Sequence, residues 1–520
     1  MHPRLRAVLD LMLPAAREDA GHHEYDGQVQ DLTLSGVAAG LAALPSTKLG
    51  DTNLSDTKLS HTKLSDTRIS DPHDDAHLTA FEEGLRVEFG LLQAHRRNPL
   101  LHLSNLELTC YERAYAPADE RLSALRRHLG QWPAAVDMAV TTLDQVPSPV
   151  ANALIDGVRG LAAGVPAELP EAPDALRAHE RLVQHVQRCI DEGDPDTAIG
   201  ADGLTALMGS VDAAEVDLGE LVLRAEGEAE RLTEMLTQAC GQLRPGVAVA
   251  DVVAELAQDY PAVDELIPEA GQLTSEVIEF TTDHELVTYL DGTCEVGLSP
   301  KSRRWATAML SWAAPGEIDT PTRYDITPPE PDWPQHEQQE WLSMFNRASM
   351  LAITVHEVAP GHFAHSRALR RASGDVRRSL CGAAFAEGWA HYTEELMLEV
   401  GFRSGDPRYA AGVALEALCR LTRLTSAIGL HTGAMDVAEA TQRFQSVAMM
   451  SEAVARSEAQ RGTFDPGYGM YTWGKWEILR RREEARRAWG GEFSLRRFHD
   501  AMLELGSPPL GLLGTAVERG

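Results

Sequence analysis

From about residue 77 to residue 280, apolar side chains recur at three- and four-residue spacing in segment after segment, with proline at the joins. The spacing predicts helices over 78–97, 118–129, 132–143, 148–163, 174–192 and 212–243, continuing over 247–260 and 270–280. Pro99, Pro117, Pro147, Pro149, Pro166 and Pro170 punctuate them. Each such helix has one apolar stripe to bury, and the partner available is another helix, so the chain is expected to be mainly α. This half holds no tight His/Glu cluster and reads as scaffold. Residues 1–45 read as a further helical segment, with Leu5, Val8, Leu9, Met12 and Leu13 on one face.

The pattern changes near residue 283. Short β-leaning runs at 285–290, 294–298, 306–312 and 322–327 are broken by Gly292, Pro300, Pro315 and Pro321. They predict a small sheet of three or four strands directly before the next helices. Helical spacing then resumes over 337–358, 385–400, 410–428, 436–456, 473–489 and 494–505. The expected organisation is an N-terminal segment (1–45), an insertion (46–76), a helical scaffold (77–280) and a catalytic part (281–520), packed as one body.

The insertion is a five-residue repeat in five copies, from Thr47 to Asp71, and it holds three of the five lysines of the chain. A square β-solenoid needs stacked coils to bury its core, and about four copies make one coil. Five copies leave nothing to stack, so the segment reads as a solvated loop.

Composition narrows the partners. A formal charge of −31 argues against nucleic acid and anionic membranes, both of which need basic footprints. Hydrophobic residues at 43% and charged residues at 24% describe an ordinary globular chain. No stretch reaches the ~18 apolar residues of a membrane span, and the N-terminus makes a poor signal peptide. Six scattered cysteines without C-x-x-C spacing read as reduced thiols. The expected location is the cytoplasm.

Chemistry concentrates in two stretches. Residues 354–362 contain His356, Glu357, Pro360, Gly361 and His362; residues 386–394 contain Glu387, Trp389, His391, Tyr392 and Glu394. Zinc takes imidazole and carboxylate ligands, and a catalytic site keeps one position for water. In the usual helical arrangement the two histidines are four residues apart. Here the second histidine is six residues on. On an ideal helix, six steps of about 100° leave the rings roughly 120° apart, too far to share an ion. The Pro-Gly pair removes that difficulty if it breaks the helix at 358–362 and returns His362 to the face of His356. Glu387 is the third candidate ligand and His365 a fallback. Trp389 reads as packing.

Together with Tyr471 and the closing run from Phe498 to Leu510, these stretches resemble the bacterial family called domain of unknown function 885, with its HExxPGH and EGWAxYxE motifs. The resemblance implies a large helical, zinc-metallopeptidase-like (gluzincin-related) fold with a small sheet beside the active-site helix. It implies one zinc ion per chain on His356, His362 and Glu387, with Glu357 as general base. It implies Tyr471 as a donor to the oxyanion and His431 as a second stabiliser. Arg423, Arg482 and Tyr392 are placed with the substrate. Three positions depart from the family pattern: His391 for an apolar residue, Ala427 for an aspartate and Phe363 for a histidine.

The expected activity is hydrolysis of amide bonds in short peptides or peptide-like molecules. Two alternatives stand beside it: a zinc enzyme acting on a non-peptide amide, and a metal-free binding or scaffold descendant.

Overall fold

The structure is a computed structural model that describes residues 1–45 and 69–520. The repeat therefore lies outside the described residues except for its last three. Of these, Asp71 caps the helix Pro72–Leu85 by accepting from the His73 N–H, and it pairs with Arg377 and Arg519.

The described residues are mainly helical, with one three-stranded sheet. The principal helices are α1 (Ala118–Thr142), α2 (Ser148–Gly160), α3 (Ala172–Glu192), α4 (Leu218–Leu243) and α5 (Leu266–Asp283). After the sheet come α6 (Arg347–Glu357), α7 (His362–Leu369), α8 (Ala383–Glu399), α9 (Pro407–Thr432), α10 (Glu452–Phe464) and α11 (Met470–Trp489). One core gathers α1, α2 and α3 around Trp132. A second runs from Leu204 to Ala516, so residues on both sides of position 280 pack into it.

The differences from expectation have local causes. The two helices foreseen over 118–143 are one, with Pro133 inside α1. The single helix foreseen over 212–243 starts only at Leu218, where the Asp217 side chain accepts from the Glu220 N–H and caps it. The helix foreseen over 337–358 is interrupted before α6, and Asn346 caps the restart by accepting from the N–H groups of Ala348 and Ser349.

Three of the four foreseen strands form: β1 (Cys294–Leu298), β2 (Ala308–Ser311) and β3 (Thr322–Ile326). The order is β1-β3-β2, with β1 parallel and β2 antiparallel to β3. Residues 285–290 are not a strand. Side chains take the place of a ladder there: His499 Nδ1 lies 2.7 Å from the Leu286 carbonyl and Asp500 accepts from the Thr288 N–H at 3.1 Å.

Two pairs of helices approach closely enough to exclude a side chain. A Cβ on Gly388 of α8 would sit 2.4 Å from the Gly474 backbone of α11. A Cβ on Gly412 of α9 would sit 2.0 Å from the Ala348 carbonyl of α6. These contacts draw α8, α11, α6 and α9 around one cleft.

Candidate metal centre

Helix α6 ends at Glu357, and Val358 leaves the helical region with φ −110° and ψ −90°. The Ala359–Pro360 peptide is cis, and α7 begins at His362. A Cβ on Gly361 would lie 1.9 Å from the His356 carbonyl, so only glycine fits this turn. Trp389 fastens it from α8 by donating its indole N–H to the Pro360 carbonyl at 2.9 Å. The break expected from the Pro-Gly pair is present, and it returns His362 to His356 with ring centroids 4.8 Å apart.

Nε2 of His356 and Nε2 of His362 each lie 3.3 Å from Glu387 Oε2. Ligand atoms of the three residues all fall within 4.8 Å of one another. Donors set tetrahedrally about 2.05 Å from a zinc ion are roughly 3.3 Å apart, so the donor set and two of its edges fit that ion. His365 does not join them. Its Nε2 lies 2.9 Å from Ser507 Oγ, and burial pushes its pKa down to about 3.

A second layer holds His356. Its Nδ1 lies 2.7 Å from Glu394 Oε1, and the Arg420 guanidinium reaches the same oxygen at 3.2 Å. His391, the first departure from the family pattern, lies 3.3 Å from the other oxygen of Glu394. Burial and then Lys475 push the His391 pKa down to about 3, so its ring is neutral there. A carboxylate behind a ligating histidine fixes its tautomer and raises its basicity. Burial and Arg420 press the His356 pKa down, but Glu387 and Glu394 outweigh them and lift it to about 9. Burial likewise opposes ionisation of Glu387, yet His362 and His356 hold its carboxyl well below the usual range.

Glu357 is buried beside these groups, and its Oε2 has no hydrogen-bond partner among the described residues. Burial raises its pKa against the pull of His356 and His362. Tyr471, on α11, stacks near His356 with centroids 6.1 Å apart. Burial lifts its phenol to about 12, so the hydroxyl remains a donor. Arg423 also faces this cleft, over the Tyr471 ring, but is paired with Glu458 at 2.7 Å.

The remaining candidates lie elsewhere. His431 lines a neighbouring apolar cavity of about 430 Å³ and sits 2.7 Å from the Gly462 carbonyl, its pKa pushed down to about 4 by burial. Ala427, in place of the family aspartate, is a core residue. Arg482 pairs with Glu399, and the Tyr392 hydroxyl lies 2.9 Å from His499 Nε2. The structure thus brings His356, His362, Glu387, Glu357, Tyr471 and Arg423 to one cleft, and leaves His431, Arg482 and Tyr392 out of it. It adds Arg420 and Glu416, which the sequence reading overlooked. Their signal was the spacing of Glu416, Arg420 and Arg423, which puts three charges on one face of the buried helix α9.

The cleft has a volume of about 510 Å³ and is lined by the three candidate ligands, Glu357, Tyr471 and strand β2. Among the described residues no helix is long and apolar enough to cross a membrane.

Two solved structures share this fold. One is a protein of unknown function from Shewanella oneidensis, provisionally described as a lipoprotein, with 20% identity and TM-score 0.71 over 98% of this chain and 97% of that one. The other, from Colwellia psychrerythraea and also provisionally described as a lipoprotein, has 17% identity and TM-score 0.73 over 99% of this chain and 97% of that one. No curated protein matches the sequence. The model of the bacterial proteins of unknown function called DUF885 matches residues 14–517, and the chain belongs to that family.

Proposed function

We propose that the protein is a zinc-dependent hydrolase of amide bonds in short peptides or peptide-like molecules. The observation that carries this reading is the 3.3 Å spacing of both imidazoles from Glu387, with the unpartnered Glu357 carboxylate oxygen beside them. His356, His362 and Glu387 would hold the ion. Zinc, when bound, supplies Lewis acidity, which makes water nucleophilic near neutral pH and polarises a carbonyl.

The chain's own groups do the rest. Glu357 Oε2 takes a proton from the attacking water and passes it to the departing amine. The Tyr471 hydroxyl donates to the oxygen on which negative charge develops. Glu394 keeps His356 in the tautomer that leaves Nε2 free to ligate. Strand β2 is an edge of its sheet and lines the cleft, so an extended peptide can lie along it. The order of the motifs, His-Glu, His, then Glu on a later helix, supports kinship with gluzincin peptidases. Six free cysteines favour a reducing compartment, and therefore the cytoplasm. The lipoprotein descriptions of the two structural neighbours point to the cell envelope instead, and fractionation of the native host separates the two.

The test of the reaction is turnover of a library of short peptides by the zinc-loaded protein and by Glu357→Gln. The reading predicts a fall in kcat of roughly 10²- to 10⁴-fold with zinc content unchanged. Equal turnover by both proteins would contradict it.

A further inference from the structure

Among the described residues every arginine that lines the cleft is already committed. Arg113 pairs with Glu317 at 3.1 Å, Arg303 with Glu18, and Arg420 with Glu394 at 3.2 Å and Glu416 at 3.1 Å. Arg423 pairs with Glu458 at 2.7 Å and Arg461 with Asp465 at 3.3 Å. Asp19 is the opposite case. It lines the same cavity as the three candidate ligands and is open to it, and its carboxylate makes no hydrogen bond or ion pair among the described residues.

The residues around Asp19 are held in place. It follows the short helix Leu13–Glu18. Just beyond it, a Cβ on Gly21 would lie 2.7 Å from the Ala314 Cβ, and His22 Nε2 lies 2.8 Å from Ser379 Oγ. The second contact sets the turn against the segment that carries Cys381, another residue of the cleft wall, six positions before Glu387. Glu18 and Glu107 stand at the same end, where both pair with Arg303, and the buried Glu107 Oε2 makes that ion pair at 3.9 Å without a hydrogen bond.

We propose that Asp19 is the anchor for an ammonium group of the substrate, so that the enzyme acts on short peptides or amides bearing a free amine within reach of the metal. This rests on the hydrolase reading above and adds to it a preference for substrates that carry a free amine. A carboxylate that lines the cleft with no hydrogen bond or ion pair of its own gains from a cation brought in by the ligand, because hydrogen bonds to charged groups are the strong ones. Burial and the nearby Glu18 push the Asp19 pKa up to about 7 against the pull of Arg303 and Arg113, a remaining cost that a bound ammonium relieves. A substrate carboxylate has no such partner, since each guanidinium in the wall would first have to give up its own. The amine can come from the peptide N-terminus or from a lysine side chain.

Binding, measured apart from turnover, tests this. The zinc-loaded Glu357→Gln protein and the double variant Glu357→Gln/Asp19→Asn are titrated by calorimetry with trialanine, N-acetyl-trialanine and an N-acetylated tripeptide that contains lysine. The expected result is roughly ten- to a hundredfold tighter binding of one amine-bearing peptide than of N-acetyl-trialanine, lost in the double variant. Which peptide gains identifies the source of the amine. Zinc content and thermal midpoint, followed in parallel, show that both proteins are loaded and folded. Equal affinity for all three peptides, or a preference that survives Asp19→Asn, would overturn the proposal while leaving the hydrolase reading intact. A protein that takes up no zinc would instead remove the reading beneath it.

Discussion

Glu394 is buried and touches three partners, His356, His391 and Arg420, yet it would not contact the metal itself. If His356 binds the ion, Glu394 orients that ligand, and its loss should be read in affinity. Glu394→Gln keeps the shape and one acceptor but removes the charge behind His356. Zinc affinity, measured by competition with a chelator, is expected to fall roughly 10- to 100-fold. An unchanged affinity would mean that the contact is only packing.

A second carboxylate bears on stability and not on chemistry. Burial lifts the Asp212 pKa to about 7, although it accepts a hydrogen bond from the Leu510 N–H at 3.2 Å. In the unfolded chain this group ionises near the ordinary aspartate value of about 3.9. Below that pH both states are protonated and there is no penalty. As pH rises towards 7 the unfolded state ionises first, so stability falls across that window and stays lower above it. Asp212→Asn is therefore expected to be more stable than the natural protein at pH 8, by on the order of 2 kcal/mol, and to match it at pH 4. Urea titrations at the two pH values check the sign.

At the scale of elements, the cleft depends on helices that nearly touch. Gly388 sits between the candidate ligand Glu387 and the clamp Trp389, and its missing side chain lets α11 come close enough to bring Tyr471 to the cleft. Gly388→Ala should separate α8 from α11 and destabilise the fold by roughly 2 kcal/mol or more, seen as a lower thermal midpoint. The helices and the Pro-Gly break were legible in the sequence because periodicity and turn chemistry are local. The three candidate metal ligands came from motifs within a span of about thirty positions. What sequence spacing could not reveal was long-range pairing. His431 looked available on α9, but the Gly462 carbonyl, 31 positions away, takes its Nε2. Arg482 is drawn to Glu399, and residues 285–290 give their backbone groups to side chains near position 500. The absence of a fourth strand follows from the same cause.

For the molecule as a whole, the division into scaffold and catalytic part understates how the cleft is made. Glu18, Asp19, Leu103, Glu107 and Arg113 line it together with the three candidate ligands. The N-terminal residues, read as plain helix from their apolar face, therefore form a wall of the site. No local pattern marks such a role, because it exists only once the chain has closed on itself. Among the described residues every arginine that lines the cleft is paired with a carboxylate.

The central claim is that His356, His362 and Glu387 meet around one ion. Elemental mass spectrometry of the purified full chain, beside His356→Ala and Glu387→Ala, tests it most directly. The expected result is about one zinc per chain in the natural protein and little or none in either folded variant. A folded natural protein that takes up no metal even when zinc is supplied, or variants that retain it in full, would contradict the account.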